Sequence, residues 1–222
     1  MATGLIEIRR RIVAAAERSG RDPEGITLVG VSKYATGSAI VAAHTEGLTD
    51  FGENRAQDLG AHVPLLPADV RWHFVGRLQG NKVRRVRPIT HLLHSLDRPE
   101  LAEQWVKGPG LPPPVLVQVN LAGEQQKGGV APGEATHLIA TAAGLGIEVL
   151  GLMTVPPMGE GPEGSRPWFR QLREMRDQVR EMHPAVRELS MGMSDDFEVA
   201  IEEGATVLRV GRAIFGPFPL GG

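Results

Sequence analysis

The sequence predicts an α/β fold closed into a single (β/α)8 TIM barrel over residues 1–222, with an extra helix ahead of the first strand. Three observations predict it. Short apolar runs alternate regularly with helical patterns along the chain. Several of those runs are apolar on both faces, as strands of a parallel sheet covered by helices must be. A chain of 222 residues has room for eight such units around one core. A doubly wound open sheet is the competing architecture, but no Gly-x-Gly-x-x-Gly follows the first strand to open a dinucleotide site.

In residues 1–20, Leu5, Ile8, Ile12, Ala15 and Ala16 recur at helical steps, with Glu7, Arg9, Arg10, Arg11 and Glu17 between them. Interleaved charge of both signs suits an amphipathic surface helix and neither a signal nor a transit peptide. Strands are expected at 26–33, 49–53, 70–76, 91–96, 115–121, 147–155, 186–191 and 207–211, with helices at about 37–47, 54–60, 80–87, 98–107, 133–144, 165–182 and 195–203. The Gly- and Pro-rich stretch 108–114 reads as a stiff connection inside the barrel, because a strand follows it at once. Residues 156–164 form a long connection on the rim that is open to two readings, a flap or a plain surface loop. Leu172, Met175, Val179 and Met182 make a packing stripe on the helix behind it.

With 24 basic and 26 acidic side chains the formal charge is −2, which gives no global pull towards nucleic acid or an anionic membrane. No apolar run is long enough to span a bilayer. The absence of cysteine excludes disulfides, zinc–cysteine sites and a thiol nucleophile, and it suits a cytoplasmic protein.

Lys33 is the strongest single candidate for chemistry. It closes the first expected strand, on the same face as Thr27, Val29 and Val31. If that face points inward, the ammonium reaches the carboxyl-end rim, where barrel active sites assemble. There a lysine can attack a carbonyl, and an apolar site eases its deprotonation. A strand-end lysine that snorkels to water fits the spacing equally well. Two turns near the end of the chain, Leu189-Ser190-Met191-Gly192-Met193-Ser194 and Gly211-Arg212-Ala213-Ile214-Phe215-Gly216, follow the seventh and eighth expected strands. That is where barrels commonly cradle a phosphate, with Ser194 placed to cap a helix or to donate to an anion. Arg209 points inward beside them and needs an acceptor; a barrel carboxylate is the structural alternative.

Other candidates carry less. His91 and His94 fall three apart in one expected strand and so face opposite sides, and His73 is alone in its strand, so no metal site is expected. The run Lys82 to Arg87 reads as a solvated helix face without aromatics for base stacking. No Gly-x-Ser-x-Gly is present to supply a serine nucleophile.

Taken together, Val31-Ser32-Lys33, Phe51-Gly52-Glu53-Asn54, the run Trp72-His73-Phe74-Val75-Gly76 with Leu78-Gln79 and Asn81-Lys82, Ser95-Leu96-Asp97, Gln118-Val119-Asn120, Lys127-x-Gly129, Gly151-Leu152-Met153 and the two late turns resemble the YggS/PROSC family of pyridoxal-phosphate homeostasis proteins. The resemblance covers nearly the whole chain and implies a barrel like that of alanine racemase, of PLP fold type III. It implies pyridoxal 5′-phosphate (PLP) as cofactor, held as a Schiff base on Lys33. Asn54, Met153 and Ser190 would lie around it, Ser194, Gly211 and Arg212 at its phosphate, and Arg209 at the pyridine nitrogen. Lys127, in Glu124-Gln125-Gln126-Lys127, is implied as a second lysine for cofactor transfer. The chain departs from the family at Tyr34-Ala35-Thr36, where Thr-Lys-Pro is frequent, and at Arg212, where threonine is frequent.

The same resemblance implies a monomeric carrier of PLP within vitamin B6 homeostasis, with PLP-dependent apo-enzymes as recipients and no catalytic residues. The alternative is an amino-acid racemase or a related fold type III enzyme. Racemases of this type take a tyrosine from a second domain, and the only tyrosine here, Tyr34, is expected on the strand face opposite Lys33.

Overall fold

The computed structural model describes residues 4–124, 126–157 and 161–216. Eight parallel strands close in sequence order into a barrel: β1 (Thr27–Val31), β2 (Asp50–Glu53), β3 (Arg71–Phe74), β4 (Leu92–Leu96), β5 (Val115–Gln118), β6 (Val149–Met153), β7 (Glu188–Ser190) and β8 (Val207–Val210). Closure comes from β1 against β8, with Thr27 opposite Val207 and Gly30 opposite Val210. Helices α1 (Leu5–Arg18), α2 (Gly37–Thr45), α3 (Ala56–His62), α4 (Val83–Val86), α5 (Pro99–Trp105), α6 (Ala135–Gly144), α7 (Arg166–Met182), α8 (Phe197–Glu202) and α9 (Arg212–Phe215) form the outer ring. None of the described helices is long and apolar enough to cross a membrane.

The extra helix α1 buries Leu5, Ile8, Ile12, Ala15 and Ala16, the stripe read from the sequence. It packs on α8 and on the four-residue α9. Arg11 clamps it with a two-pronged bond to Glu198 at 3.2 and 2.9 Å.

Two cores result. The larger lies between strands and helices and includes Phe51, Trp72, Trp105, Phe169 and Phe197. The smaller, Leu92, Leu116 and Met153, plugs the barrel interior. Strand alternation decides which residue joins which. A Cβ on Gly52 would fall 2.9 Å from Val29 Cγ1 on the inner face, whereas one on Gly30 would meet Leu48 on the outer face.

Strands end earlier than the apolar runs predict. β1 stops at Val31, because Ala35 N–H turns back to the Ser32 carbonyl at 2.8 Å and Tyr34 takes a φ of 64°. β5 stops at Gln118, although Val119 stays buried and bridges to Val130. Burial outlasts the ladder, so hydrophobicity overruns the strand. The helix expected at 80–87 is a 3-10 turn (Gly80–Lys82), then α4, then a second 3-10 turn (Arg87–Ile89). Arg87 corrects the solvated-face reading. It is buried, and it donates to the carbonyls of Trp105 (2.6 Å), Pro109 (2.8 Å) and Gly110 (3.0 Å), so that it pins the stiff 108–114 connection. Met182 is also corrected: it lies 67% exposed, past the buried end of the α7 stripe. Residues 158–160 of the long rim connection lie outside the described residues.

Two glycines test this packing. A Cβ on Gly151 would sit 2.0 Å from the Glu188 carbonyl oxygen of the neighbouring strand, and backbone cannot swing aside. Gly151→Ala should cost about 3 kcal/mol in urea unfolding. Gly144 ends α6 with nothing within 4 Å, so Gly144→Ala should gain about 0.5–1 kcal/mol.

Candidate functional site

Lys33 sits one residue past Ser32 in the turn that leaves β1. That turn is anchored from beneath. Ser32 is fully buried, takes its backbone bond to Gly52 O at 2.9 Å, and donates its hydroxyl to Glu53 Oε1 at 2.5 Å. His62 Nδ1 lies 2.7 Å from the same oxygen, while Glu53 Oε2 is buried without a partner. Burial pushes the Glu53 carboxyl up, against the pull of Ser32 and His62. Lys33 itself is half-buried. Burial, then the positive charges of Arg212 and Arg55, pushes its ammonium down from the ordinary lysine range, towards the free amine.

A small pocket beside Lys33 is also lined by Val31, Tyr34, Gly211 and Phe215. Gly211 approaches β1 closely, since a Cβ there would lie 3.0 Å from Val31 O. It opens α9, whose first N–H groups no helical carbonyl can reach. One of them, Ala213 N–H, donates to Ser194 Oγ at 3.3 Å. Ser194 therefore ties the two late turns together, and α8 starts at Asp196 without a side-chain cap from it. Arg212 reaches across to Asp195. Lys33, Gly211, Arg212 and Ser194 thus share one corner of the rim.

Below that corner a hydrogen-bonded chain crosses the barrel interior. Arg209 is buried and makes no ion pair with a carboxylate among the described residues. It donates to Ser190 Oγ at 2.6 Å and to Thr154 O at 2.8 Å, two of its five N–H donors. Ser190 Oγ lies 2.8 Å from His94 Nδ1, His94 Nε2 lies 2.9 Å from His73 Nδ1, and His73 Nε2 lies 3.0 Å from Asp50 Oδ1. Arg71 closes the far end on Asp50 at 2.7 and 2.6 Å. Burial, then the neighbouring His73 and Arg209, holds His94 well below the usual imidazole range. Burial works against ionisation of Asp50, yet bonds from His73, Arg71 and Thr49 outweigh it and hold the carboxyl low. Burial takes Arg209 down to about 10, still charged at neutral pH. The two ends of the chain are fixed, since Arg209 can only donate and the Asp50 carboxylate only accepts. Between them the ring nitrogens of His94 and His73 donate or accept according to their tautomers.

This chain corrects the sequence reading of the histidines. His91 precedes β4, where alternation does not apply, and both its ring (5.5 Å) and that of His94 (5.1 Å) meet His73. His73 is not alone but sits between Asp50 and His94. No group of three or more potential metal ligands occurs among the described residues. Marking inward phases on neighbouring strands would have aligned Asp50, His73, His94, Ser190 and Arg209 from sequence. Tyr34 is corrected too. β1 has ended before it, so it does not lie opposite Lys33; it lines the same pocket, and its hydroxyl accepts from Arg55 at 3.1 Å.

The remaining candidates lie apart. Met153 belongs to the interior plug. Asn54 lines a separate cleft of about 800 Å³ between the ends of β2, β3 and β4. Lys127 Nζ is tied to Glu124 at 2.5 Å and to the Pro156 carbonyl at 2.8 Å.

Residues 5–219 match the family described as alanine racemase, N-terminal domain. The chain is 45% identical over 218 residues to the pyridoxal phosphate homeostasis protein of Aquifex aeolicus, covering 96% of each. Among solved structures, it is similar to a protein of unknown function from Bifidobacterium adolescentis (TM-score 0.89, 34% identity, 96% and 93% of the two chains). It is also similar to PipY of Synechococcus elongatus, solved with PLP bound (TM-score 0.77, 31% identity, 94% and 100% of the two chains).

The interior chain makes stability pH-dependent in a defined direction. The folded state holds His94 below its unfolded value near 6.5, so the unfolded chain binds the extra proton as pH falls. That histidine should cost up to about 1.4 kcal/mol of stability per pH unit below 6.5. Urea unfolding at pH 7.5 and 5.5 should show a smaller loss in His94→Gln than in the natural sequence; equal losses would refute the assignment.

Proposed function

The chain belongs to the family of pyridoxal phosphate homeostasis proteins, whose barrel is that of the alanine racemase N-terminal domain, and from that premise we propose that it carries PLP as a Schiff base on Lys33 and acts as a carrier rather than a turnover enzyme. The observation that carries the reading is Lys33: a half-buried amine with its pKa pushed down, at the rim corner of Gly211, Arg212 and Ser194. When bound, the cofactor supplies an aldehyde carbon with which that amine condenses, expelling water.

The residues fit the group. Arg209 keeps N–H donors uncommitted on a buried cation, which suits an unprotonated pyridine nitrogen. Ser190 and Thr154 hold the guanidinium in place for that contact. Ser194 and the Gly211–Arg212 backbone receive the phosphate, with the Arg212 guanidinium adding charge. Met153, in the interior plug, and Asn54, in the separate cleft at the end of β2, stand apart from that corner, and a contact of either with the ring rests on the family resemblance alone. A donor at the ring nitrogen keeps it unprotonated and weakens the electron sink that PLP enzymes exploit, which supports carriage. For Lys127 to accept the cofactor in transfer, its ammonium must first leave Glu124 and the Pro156 carbonyl. A cytoplasmic monomer that supplies apo-enzymes completes this reading.

One observation favours a second reading, turnover of an amino acid: Tyr34 borders the same pocket as Lys33, where an acid–base partner would stand.

Borohydride reduction of the PLP-loaded protein should add the cofactor mass to the peptide containing Lys33, and Lys33→Ala should abolish both that adduct and the visible absorption band. An adduct on another lysine alone would refute the site. Alanine racemisation should stay far below about 1 per second; faster exchange that Tyr34→Phe removes would establish the second reading.

A further inference from the structure

On the reading proposed above the cofactor phosphate lies at the turns of Ser194 and Gly211, which leaves without a role the cleft beside Asn54 that residues from Phe74 to Lys82 line. Its volume of about 800 Å³ lies within the range of small-ligand sites. Arg55, Arg77, Lys82 and Arg98 line it, and no carboxylate among the described residues does. The chain as a whole carries a net −2, so this concentration of cations is local. We propose that the cleft binds a small organic polyphosphate, at a second anion site separate from the turns of Ser194 and Gly211.

Three of the four cations are held in position. Asp97, buried behind the wall, takes Arg77 Nε at 3.4 Å and also pairs with Arg98. Arg98 donates further to Leu78 O at 2.8 Å. Arg55 rests on the Tyr34 ring at 5.3 Å. Lys82 engages no carboxylate among the described residues, so its charge faces the cleft without compensation. Guanidinium forks match phosphate oxygens two at a time, and a loose ammonium adds a movable point charge.

Shape narrows the occupant. A concave wall lets a compact, multiply charged ligand reach all four cations, which a flat acidic protein surface cannot do. Buried Phe74 and Leu78 form an apolar floor, and Asn54, Gln57 and Gln79 supply amides at the edge. Two glycines keep the connection after β3 pressed against its neighbours. A Cβ on Gly76 would fall 2.3 Å from Asn54 O, and one on Gly80 2.3 Å from Gln104 Oε1.

Calorimetric titration of the PLP-loaded, borohydride-reduced and desalted protein with tripolyphosphate and with ATP tests this. Each should show one saturable site that weakens with added salt and weakens about tenfold in Lys82→Ala and in Arg77→Ala, while Ser194→Ala leaves it within about twofold. Equal affinity for the two probes would mean that the phosphate chain alone is recognised. Tighter ATP binding would add packing of the base on the apolar floor. Absence of a saturable site, indifference to both cation variants, or loss in Ser194→Ala alone would overturn the proposal. So would a single-stranded oligonucleotide of about a dozen bases that binds more than tenfold tighter than ATP, since that would make the cleft part of a nucleic-acid track.

Discussion

A guanidinium buried at the centre of a barrel sets the terms for everything around it. Among the described residues no carboxylate pairs directly with Arg209, Asp196 acting on it only from a distance, and leaving such a charge unsolvated is costly. A line of hydrogen-bonded groups leads from it to a distant anion. Ser190, His94 and His73 pass the polarisation across the interior to Asp50, which Arg71 shares near the opposite end of the strands. Each link fixes the proton position of the next, so none of these side chains is free to vary alone.

The same line divides the barrel interior. Leu92, Leu116 and Met153 on β4, β5 and β6 fill one part of the space; the hydrogen-bonded line from β8 and β7 through His94 on β4 and His73 on β3 to β2 fills another. The polar side is the one beneath the Lys33 turn. That turn has a buried support of its own in Ser32, Glu53 and His62, so Lys33 is placed by rigid groups on β2 and α3 rather than by its own exposed loop.

Architecture was readable in the sequence because periodicity and burial say the same thing for most elements. The α1 stripe at Leu5, Ile8 and Ile12 and the run at Val115 to Val117 became a helix and a strand as expected. Ends were less readable. Val119 is as buried as a strand residue although the ladder has stopped, and Tyr34 is in a left-handed turn where alternation has no meaning. Lys33, Gly211 and Arg212 could be nominated from their places after β1 and β8, because topology fixes which end of a barrel each loop occupies. The Asp50–His73–His94 line could not be read strand by strand. Each residue looks isolated within its own segment, and only the register between β2, β3 and β4 sets them in a row.

The buried guanidinium of Arg209 carries a chemical selectivity. A guanidinium carries donors only, so the N–H groups that Arg209 does not spend on Ser190 and Thr154 offer hydrogens and never lone pairs. A heteroaromatic ring that settles there with a bare nitrogen completes the line, while one bearing a proton at that atom meets hydrogen against hydrogen. No rearrangement of Ser190, His94 or His73 can turn that guanidinium into an acceptor, so it discriminates between the tautomers of whatever meets it.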